Sequence, residues 1–156
     1  MKHKTPPPSV SALDAHLGFW MRFVSNQVSA EFERAVEARG VSVSEWVALR
    51  TLYGQAGTTH AALMGSLGMT RGAVSKVVSR LQDKGYVTRT SHEADARAQV
   101  LALTRAGRAL VPALARDADA NDDRFFGHLS ARQRQDLMRL LQGLVRHHGL
   151  QRVPVA

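Results

Sequence analysis

The sequence predicts a mainly α-helical fold with one small β-hairpin. Three observations support this prediction. Apolar residues recur at three- and four-residue steps through most of the chain, which is the period of an amphipathic helix. Serine or threonine precedes several of these segments, at the position where a helix needs a side-chain acceptor. Only the stretch from Tyr86 to Leu103 is instead rich in β-prone residues on both sides of a polar centre.

Length and composition indicate one folded domain. The 156 residues are 44% hydrophobic and 22% charged, as in folded proteins that are neither disordered nor embedded in a membrane. No apolar run approaches the roughly 20 residues that a membrane helix needs. The first eight residues contain three prolines and no apolar core of a signal peptide. We therefore expect a cytoplasmic protein with a disordered arm over residues 1–9.

The charge balance and the absence of cysteine restrict the partners. The 21 Lys and Arg against 13 Asp and Glu leave a net charge of +8, which favours a polyanionic partner. The alternative is a basic protein that has no such partner. With no cysteine, disulfides, thiolate metal sites and thiol-based sensing are excluded.

The first helix is predicted within residues 10–40 and ends at Gly40. Its apolar stripe consists of Leu13, Leu17, Trp20, Val24, Val28, Phe32 and Val36. Phe19 and Phe23 lie beside the stripe and widen it beyond what one core contact demands. The helix should therefore pack on two partners, and we interpret it as a dimerisation helix.

Three shorter helices are predicted next. Ser42 and Glu45 form a capping box at the start of the first of them. The second runs from about residue 59 to residue 67. Thr70 is suited to cap the third, which runs to Lys84 before Gly85.

The β-prone stretch reads as a hairpin with a charged tip. Its strands are predicted at Tyr86–Thr90 and Gln99–Leu103, joined by the polar stretch Ser91–Ala98.

Two helices complete the chain, and we interpret residues 109–149 as further dimerisation helices. Thr104 is suited to cap the first, in which Pro112 removes one backbone hydrogen bond and bends the axis. Ser130 and Gln133 form a second capping box before a leucine-rich helix. Residues 150–156 are expected to be a flexible tail. An acidic cluster in the first of these helices is expected to be a solvated face: Asp117, Asp119, Asp122 and Asp123.

This order of elements over residues 41–108 is that of a winged helix-turn-helix, whose second motif helix enters the major groove of DNA. In the helix from Arg71 to Lys84, one side is predicted to face the core: Ala73, Val74, Val77, Val78 and Leu81. The other side is small, polar and basic: Gly72, Ser75, Lys76 and Ser79.

Each polar residue of this helix has an expected role. Lys76 can donate to guanine acceptors, and the serines can pair with either base type. Arg71 and Arg80 at the margins would bind phosphates, which sets register and affinity. Thr70 and Arg89 complete the predicted DNA-binding set with Arg97. Basic residues outnumber acidic ones throughout this part of the chain.

Arg97 in the hairpin has two expected roles that remain open and are compatible. It would enter the minor groove, where a narrow A·T-rich segment attracts a cation. Alternatively, Asp95 pairs with Arg97 or with Arg89 and stiffens the wing.

The motif residues resemble those of the MarR (multiple antibiotic resistance regulator) family. The resemblance covers roughly residues 40–110 and is carried by LMGSLGMTRGAVSKVVSRLQDKGYVTR, then DARA, then LALTRAG. It places Asp95, Arg97 and Gly107 on the family's wing motif and following helix start. It places Arg71, Ser75, Lys76 and Ser79 on the recognition helix. The flanking leucine-rich helices also resemble the family's dimerisation region.

Two residues depart from the family pattern. Met64 stands where a small alanine is usual, which implies a wider crossing of the two motif helices. Ala96 stands where a second arginine is common, which implies a weaker contact between the wing and DNA.

The resemblance also implies an effector. Members of the family commonly bind a small aromatic acid between the dimerisation helices and the DNA-binding lobe, which releases DNA. Aromatic walls for such a ligand would come from His16, Phe19, Trp20, Phe23 and Trp46. Arg22 or Arg50 would pair with its carboxylate. The alternative is that these aromatic residues belong to the core.

Other functional classes find little support. Adjacent His147 and His148 point about 100° apart on a helix, whereas a shared metal favours a spacing of three or four residues. No spacing supplies the nucleophile and base, or the paired carboxylates, of an enzyme. No cofactor is expected.

The predicted function is therefore that of a homodimeric transcription regulator, a repressor, that binds double-stranded DNA at a palindromic operator. Two alternatives remain open: a winged-helix module that binds another protein, and a nucleoid-type binder that is indifferent to sequence.

Overall fold

The computed structural model describes residues 10–92 and 95–151, and for residues 92 and 95–98 only the course of the backbone. The predicted arm at residues 1–9 and all but the first two residues of the predicted tail lie outside this range. A short 3-10 turn, Leu13–Ala15, precedes the first helix. The helices are α1 Leu17–Glu37, α2 Val43–Leu52, α3 His60–Leu67, α4 Arg71–Asp83, α5 Arg105–Phe126 and α6 Ala131–His147. The strands are β1 Thr58–Thr59, β2 Val87–His92 and β3 Asp95–Leu103. This mainly helical architecture confirms the predicted fold class.

The start of α1 differs from the prediction. His16 has φ −100° and ψ 126°, an extended conformation that separates the 3-10 turn from the helix. Trp20 Nε1 donates to the carbonyl oxygen of Asp14 at 2.8 Å, which holds the turn against the first turn of α1. The apolar spacing predicted one continuous helix from Leu13. That prediction was wrong for the first four residues, which form the 3-10 turn and the extended residue His16.

Both predicted capping boxes are confirmed. Ser42 Oγ accepts from the backbone N–H of Glu45 at 3.2 Å, and Glu45 Oε2 accepts from the Ser42 N–H at 2.8 Å. Ser130 and Gln133 repeat the arrangement at α6, at 3.2 and 2.9 Å. Each box satisfies two N–H groups that would otherwise lack a partner at the helix start.

The two motif helices meet through a glycine turn. Thr59 caps α3, and Thr70 caps α4 by accepting from the Ala73 N–H at 3.3 Å. Between them Gly68 has φ +60°, in the left-handed region where a side chain costs free energy. The Gly68 N–H donates to the Met64 carbonyl oxygen at 2.9 Å, which closes the C-terminal end of α3.

The sheet contains a strand that the sequence did not reveal. Its order is β1-β3-β2, with both pairs antiparallel. Thr58 and Thr59 of β1 pair with Leu101 and Val100 of β3. A strand of two residues is too short to show the alternation of apolar and polar residues that marks a strand in a sequence. Only its pairing with β3 identifies it. The strands β2 and β3 extend further towards the wing tip than predicted.

Gly107 attaches α5 to the hairpin. A Cβ atom built on Gly107 would lie 2.2 Å from the Tyr86 carbonyl oxygen, so no side chain fits there. The Gly107 N–H donates to Thr104 Oγ1 at 3.1 Å, which confirms Thr104 as the cap of α5.

The core lies between α2, α3, α4, the sheet and the first half of α5. On α4 the predicted inner face is confirmed, since Val74, Val77, Val78 and Leu81 are buried and Ala73 is half-buried. They pack with leucines from the neighbouring elements: Leu49, Leu52, Leu63, Leu67, Leu101 and Leu114. This packing fixes which side of α4 remains exposed.

The prediction that the acidic cluster of α5 is a solvated face was wrong for Asp117, whose side chain is 22% exposed, whereas Asp122 is 53% exposed. Asp117 accepts two hydrogen bonds from the guanidinium of Arg39, and Asp122 pairs with Arg134 of α6. The Arg39 guanidinium lowers the pKa of the Asp117 carboxyl below its ordinary value. These pairs join α5 to the end of α1 and to α6.

Large apolar side chains remain exposed on α1 and α6. No residue of α6 is buried, and Leu140 is 68% exposed. Across residues 10–92 and 95–151, no helix combines the length and the apolar character needed to cross a membrane.

Candidate nucleic-acid interface

One face of α4 is open to solvent and carries basic and small side chains. The exposed residues are Thr70, Arg71, Gly72, Lys76, Ser79 and Arg80. They lie opposite the buried valines, as the sequence predicted. Gly72 has no atom within 4 Å of where a Cβ would stand, so the surface above it is empty. The face can therefore approach another surface closely around Gly72, with Lys76 one turn further along.

Ser75 differs from the predicted outward position. It is half-buried at the margin of the exposed face, and its Oγ lies 3.1 Å from Nε2 of His60. The difference arises because the start of α3 packs against this side of α4. Only the tertiary arrangement brings together these two residues, which are 15 positions apart.

His60 is a residue of this site that sequence reasoning missed. It is the first residue of α3 and is half-buried. Burial lowers the pKa of the His60 imidazole below its ordinary value, and the nearby charges of Arg89 and Arg71 lower it further. The imidazole is therefore neutral at neutral pH. No local pattern distinguishes His60 from a surface histidine at a helix start.

Arg89 lies on β2 near the body of the domain and not at the tip of the wing. It is half-buried on β2 opposite Leu101, and its Nε is buried without a hydrogen-bond partner in the described part of the chain. With Arg71 it supplies the positive charges near His60. His60 and Ser75 thus join α3 to α4 at the margin of the exposed face, with the charges of Arg71 and Arg89 nearby.

The other wing residues lie where only the backbone is described. Asp95 and Arg97 belong to β3, but their side chains lie outside the described part of the structure. The contact of Arg97 with DNA and its pairing with Asp95 therefore stay predictions.

Four of the predicted ligand-binding residues meet in one groove. A groove of about 520 Å³ beside α1 is lined by Leu13, His16, Gly18, Phe19, Arg22, Phe23 and Asn26. The rings of Phe19 and Phe23 are stacked with centroids 6.5 Å apart. His16 and Arg22 are the groups of this groove that can bind an anion.

The remaining residues of the predicted ligand set lie elsewhere. Trp46 packs edge-on against Phe32, with centroids 6.5 Å apart. Phe32 follows Phe23 by nine residues, which is about 13 Å along the helix. The Arg50 guanidinium lies 6.0 Å from the Tyr53 ring centroid. For Trp46, the alternative that the aromatic residue belongs to the core fits the structure better.

Trp20 contributes to a second, larger groove. This groove of about 630 Å³ is lined by α1, the end of α5 and α6, with residues Trp20, Met21, Val24, Ser25, Val28, Ser29, Phe125, Phe126, His128, Leu129, Leu137 and Leu141. Its lining is almost entirely apolar. Trp20 also contacts Phe19 edge-on at 5.3 Å, so it stands between the two grooves.

Metal ligands do not cluster in the described ranges. Within residues 10–92 and 95–151, no three His, Cys, Asp or Glu side chains stand close enough to hold one ion.

Comparisons with known proteins agree with this geometry. The MarR family model matches residues 39–98, which include α2 to the wing. An HTH-type transcriptional repressor of Mycobacterium tuberculosis is 30% identical over 131 residues, which are 84% of this chain and 94% of the relative. A probable transcriptional regulator from Pseudomonas aeruginosa has a similar structure, with a TM-score of 0.74 and 27% identity over 85% of this chain and 99% of that one. A MarR mutant from E. coli complexed with operator DNA shares the fold, with a TM-score of 0.73 and 21% identity over 83% and 93% of the two chains.

Proposed function

The chain belongs to the MarR family of transcription regulators, and on that premise we propose that it is a homodimeric repressor that binds a specific sequence of double-stranded DNA. The observation that carries the proposal is the division of α4. Its buried side is occupied by valine and leucine, while its exposed side presents Lys76, Ser79, Arg80 and a glycine. Such a face suits the major groove, because short side chains let a basic helix approach base edges.

Assignment as a repressor is supported by the relative from Mycobacterium tuberculosis, which is described as a repressor and covers most of this chain. A repressor of this kind acts by occupying its operator. Release of DNA then restores transcription of the adjacent genes.

The dimer is supported by the exposed apolar face of α6 and the groove beside it. Six large apolar residues occupy one side of that helix: Leu137, Met138, Leu140, Leu141, Leu144 and Val145. Leaving such a surface in water is costly, and a second copy of the chain would cover it isologously. The groove containing Trp20 continues this face onto α1.

A two-fold dimer predicts the form of the operator. It presents two copies of α4 to one side of B-DNA, which requires half-sites about 10 base pairs apart. The operator should therefore be an imperfect inverted repeat.

The effector proposed for this repressor is a small aromatic carboxylate that binds beside α1. Phe19 and Phe23 would contact its ring, and Arg22 would pair with its carboxylate. Since α1 also supplies part of the apolar surface assigned to the dimer, a ligand there would alter the spacing of the two α4 helices.

Binding to defined duplexes tests the proposal. DNA from upstream of the chain's own gene should show a footprint over an inverted repeat. Affinity should fall as salt rises, with a slope set by the number of phosphates contacted. A footprint without sequence preference would favour the nucleoid-type alternative. If affinity for duplex DNA is negligible even at low salt, the protein-interaction alternative becomes the better interpretation.

A further inference from the structure

The contact between His60 and Ser75 lies beside the face of α4 that is proposed to bind DNA. It is a side-chain hydrogen bond between the two motif helices, 3.1 Å long, at the inner edge of the exposed face of α4. Ser75 is half-buried, so part of it still borders that face. A hydroxyl in this place has one partner inside the protein and room for a second partner outside.

The direction of this hydrogen bond decides what Ser75 offers to the outside. If His60 Nε2 accepts, the Ser75 hydroxyl proton points inward and only oxygen lone pairs face outward. If His60 Nε2 donates, the hydroxyl proton is free to point outward. In the first case Ser75 can accept from a base amino group, and in the second it can donate to a base carbonyl or ring nitrogen.

Base edges in the major groove differ in this respect. Cytosine presents only an amino donor at N4, adenine presents both an amino donor at N6 and an acceptor at N7, and the polar groups of guanine and thymine are acceptors only. A serine that is free to rotate pairs with both kinds of edge. A serine whose hydroxyl proton is held by a hydrogen bond inside the protein discriminates between them.

We propose that His60 is a positioning residue that sets the hydrogen-bond direction of Ser75, and thereby the base preferred at one position of each operator half-site. The inference rests on the proposed function, because it requires α4 to lie in the major groove. It deepens that function by adding a residue that itself need not touch DNA.

The charges around His60 make this setting depend on pH. Arg71 of α4 and Arg89 of β2 are the charged groups near the ring among the described residues, and both disfavour its protonation. A neutral imidazole keeps one nitrogen as an acceptor, which the cation lacks. When the neutral ring accepts from Ser75 at Nε2, protonation turns that nitrogen into a donor, and the Ser75 hydroxyl proton is then free to point outward. Acidification should therefore shift the preference at the Ser75 position away from cytosine, which has only a donor, and towards guanine or thymine, which have only acceptors.

The experiment measures relative affinity, not affinity alone. A mapped operator is varied through all four bases at each position of one half-site, and binding is measured at pH 7.5 and pH 5.5. The ratio of affinities between bases removes the contribution of other histidines, which act on every duplex alike. For the parent protein, the ratio at one position should change by about 2-fold to 10-fold between the two pH values, as expected for one redirected hydrogen bond.

Substitutions at His60 and Ser75 separate the positioning role of His60 from the base contact of Ser75. His60→Gln keeps an amide within reach of Ser75 but does not titrate, so its base preference should not change with pH. His60→Leu leaves the hydroxyl free to rotate and should weaken the preference at that position only. Ser75→Ala should abolish the preference, and adding His60→Gln to it should have no further effect on the ratio. Thermal denaturation shows that each variant is folded.

Lys76→Ala distinguishes the failure of this inference from failure of the proposed function. If the parent binds no operator specifically, the proposed function is wrong. If Lys76→Ala weakens specific binding while folded His60→Gln retains the same base ratios and pH response as the parent, the inference about His60 is overturned and the function stands.

Discussion

Lys84 at the C-terminal end of α4 donates to the carboxylate of Glu45, which is 1% exposed at the start of α2, across a distance of 2.7 Å. The same ammonium donates to the Gly40 carbonyl oxygen at 2.8 Å. Glu45 is thereby bonded to the backbone of Ser42 on one side and to Lys84 on the other. The pair of Lys84 and Glu45 therefore holds the end of α4, the start of α2 and the turn after α1 together.

Replacing Lys84 should destabilise the protein through the carboxylate that it leaves behind. Lys84→Met removes the ammonium while Glu45 remains buried, and an unpaired buried polar group costs about 1–3 kcal/mol. Chemical denaturation should show this loss as a lower midpoint with an unchanged m-value. Lys84→Arg keeps the charge and serves as the control. Equal stability of the Met variant and the parent would show that the pair contributes no net stabilisation.

Lys76 and Arg80 should differ in how they affect DNA binding. Lys76→Ala removes a donor facing the groove, and we expect a loss of about 1–3 kcal/mol with relaxed preference at one base pair per half-site. Arg80→Ala should weaken all sequences alike and reduce the salt slope by about one unit. Arg132→Ala, on the exposed side of α6, removes the same charge far from α4 and controls for net charge. Fluorescence anisotropy with matched and mismatched duplexes measures all three. Parent-like binding by both α4 variants would rule out this face as the DNA-binding surface.

The apolar side of α6 should hold the dimer together. Leu140→Glu places a charge at the most exposed of these apolar residues, where burial against a second copy would be costly. Sedimentation of the parent at micromolar concentration should give a dimer, and the variant should shift towards monomer. Gln135→Glu adds the same charge on the polar side of α6 and should leave the dimer intact. A parent that sediments as a stable monomer contradicts the prediction and removes the reason for a palindromic operator.

The two arginines suggested by the sequence as carboxylate partners should respond differently. Arg22 lines the groove with Phe19 and Phe23, whereas Arg50 lies against Tyr53. Arg22→Gln should therefore weaken the release of DNA by an aromatic carboxylate such as salicylate, and Arg50→Gln should not. Tryptophan fluorescence offers an independent measurement. The response should survive Trp46→Phe and disappear in Trp20→Phe, because Trp20 contacts Phe19 at the groove edge. The groove assignment fails if a broad panel of such acids changes neither fluorescence nor DNA affinity.

The pair of Asp117 and Arg39 should contribute to stability in a defined pH range. Its hydrogen bond to Arg39 lowers the pKa of Asp117, so the unfolded chain binds a proton more readily than the native one. The contribution is present above the ordinary carboxyl pKa of about 4 and is lost as the pH falls through the lowered value. Asp117→Asn should reduce the melting temperature slightly at pH 7, and the difference from the parent should vanish at low pH. A constant difference down to pH 2 would contradict this assignment.

Much of the proposed DNA-binding surface followed from local patterns. The inner valines of α4 recur with the helical period, so its polar side had to face outward once the helix formed. Thr70 and the capping boxes at Ser42 and Ser130 marked helix starts, because a cap acts within four residues. These features depend on neighbours in sequence, which is why they could be predicted.

Apart from the start of α1, the errors lie where distant segments meet. The strand β1 exists only because Thr58 and Thr59 meet β3 about forty residues later. Arg39 reaches Asp117 across 78 positions, a pairing that no local spacing signals. The sequence grouped Trp46 with Phe19 and Phe23 in one predicted ligand set. In the structure Trp46 packs against the core near Phe32, whereas Phe19 and Phe23 line a separate groove.

By itself, therefore, the sequence determined the order of the helices, their caps, the hairpin and the polar side of α4, because each arises from periodicity or hydrogen bonding within a few residues. The tertiary structure alone decided that Ser75 meets His60, that Lys84 meets Glu45, and that Arg22 and Arg50 lie apart. The physical reason is that these relationships depend on the rotation and offset of one packed element against another. Helical period does not encode those quantities, since side-chain packing in the shared core sets them.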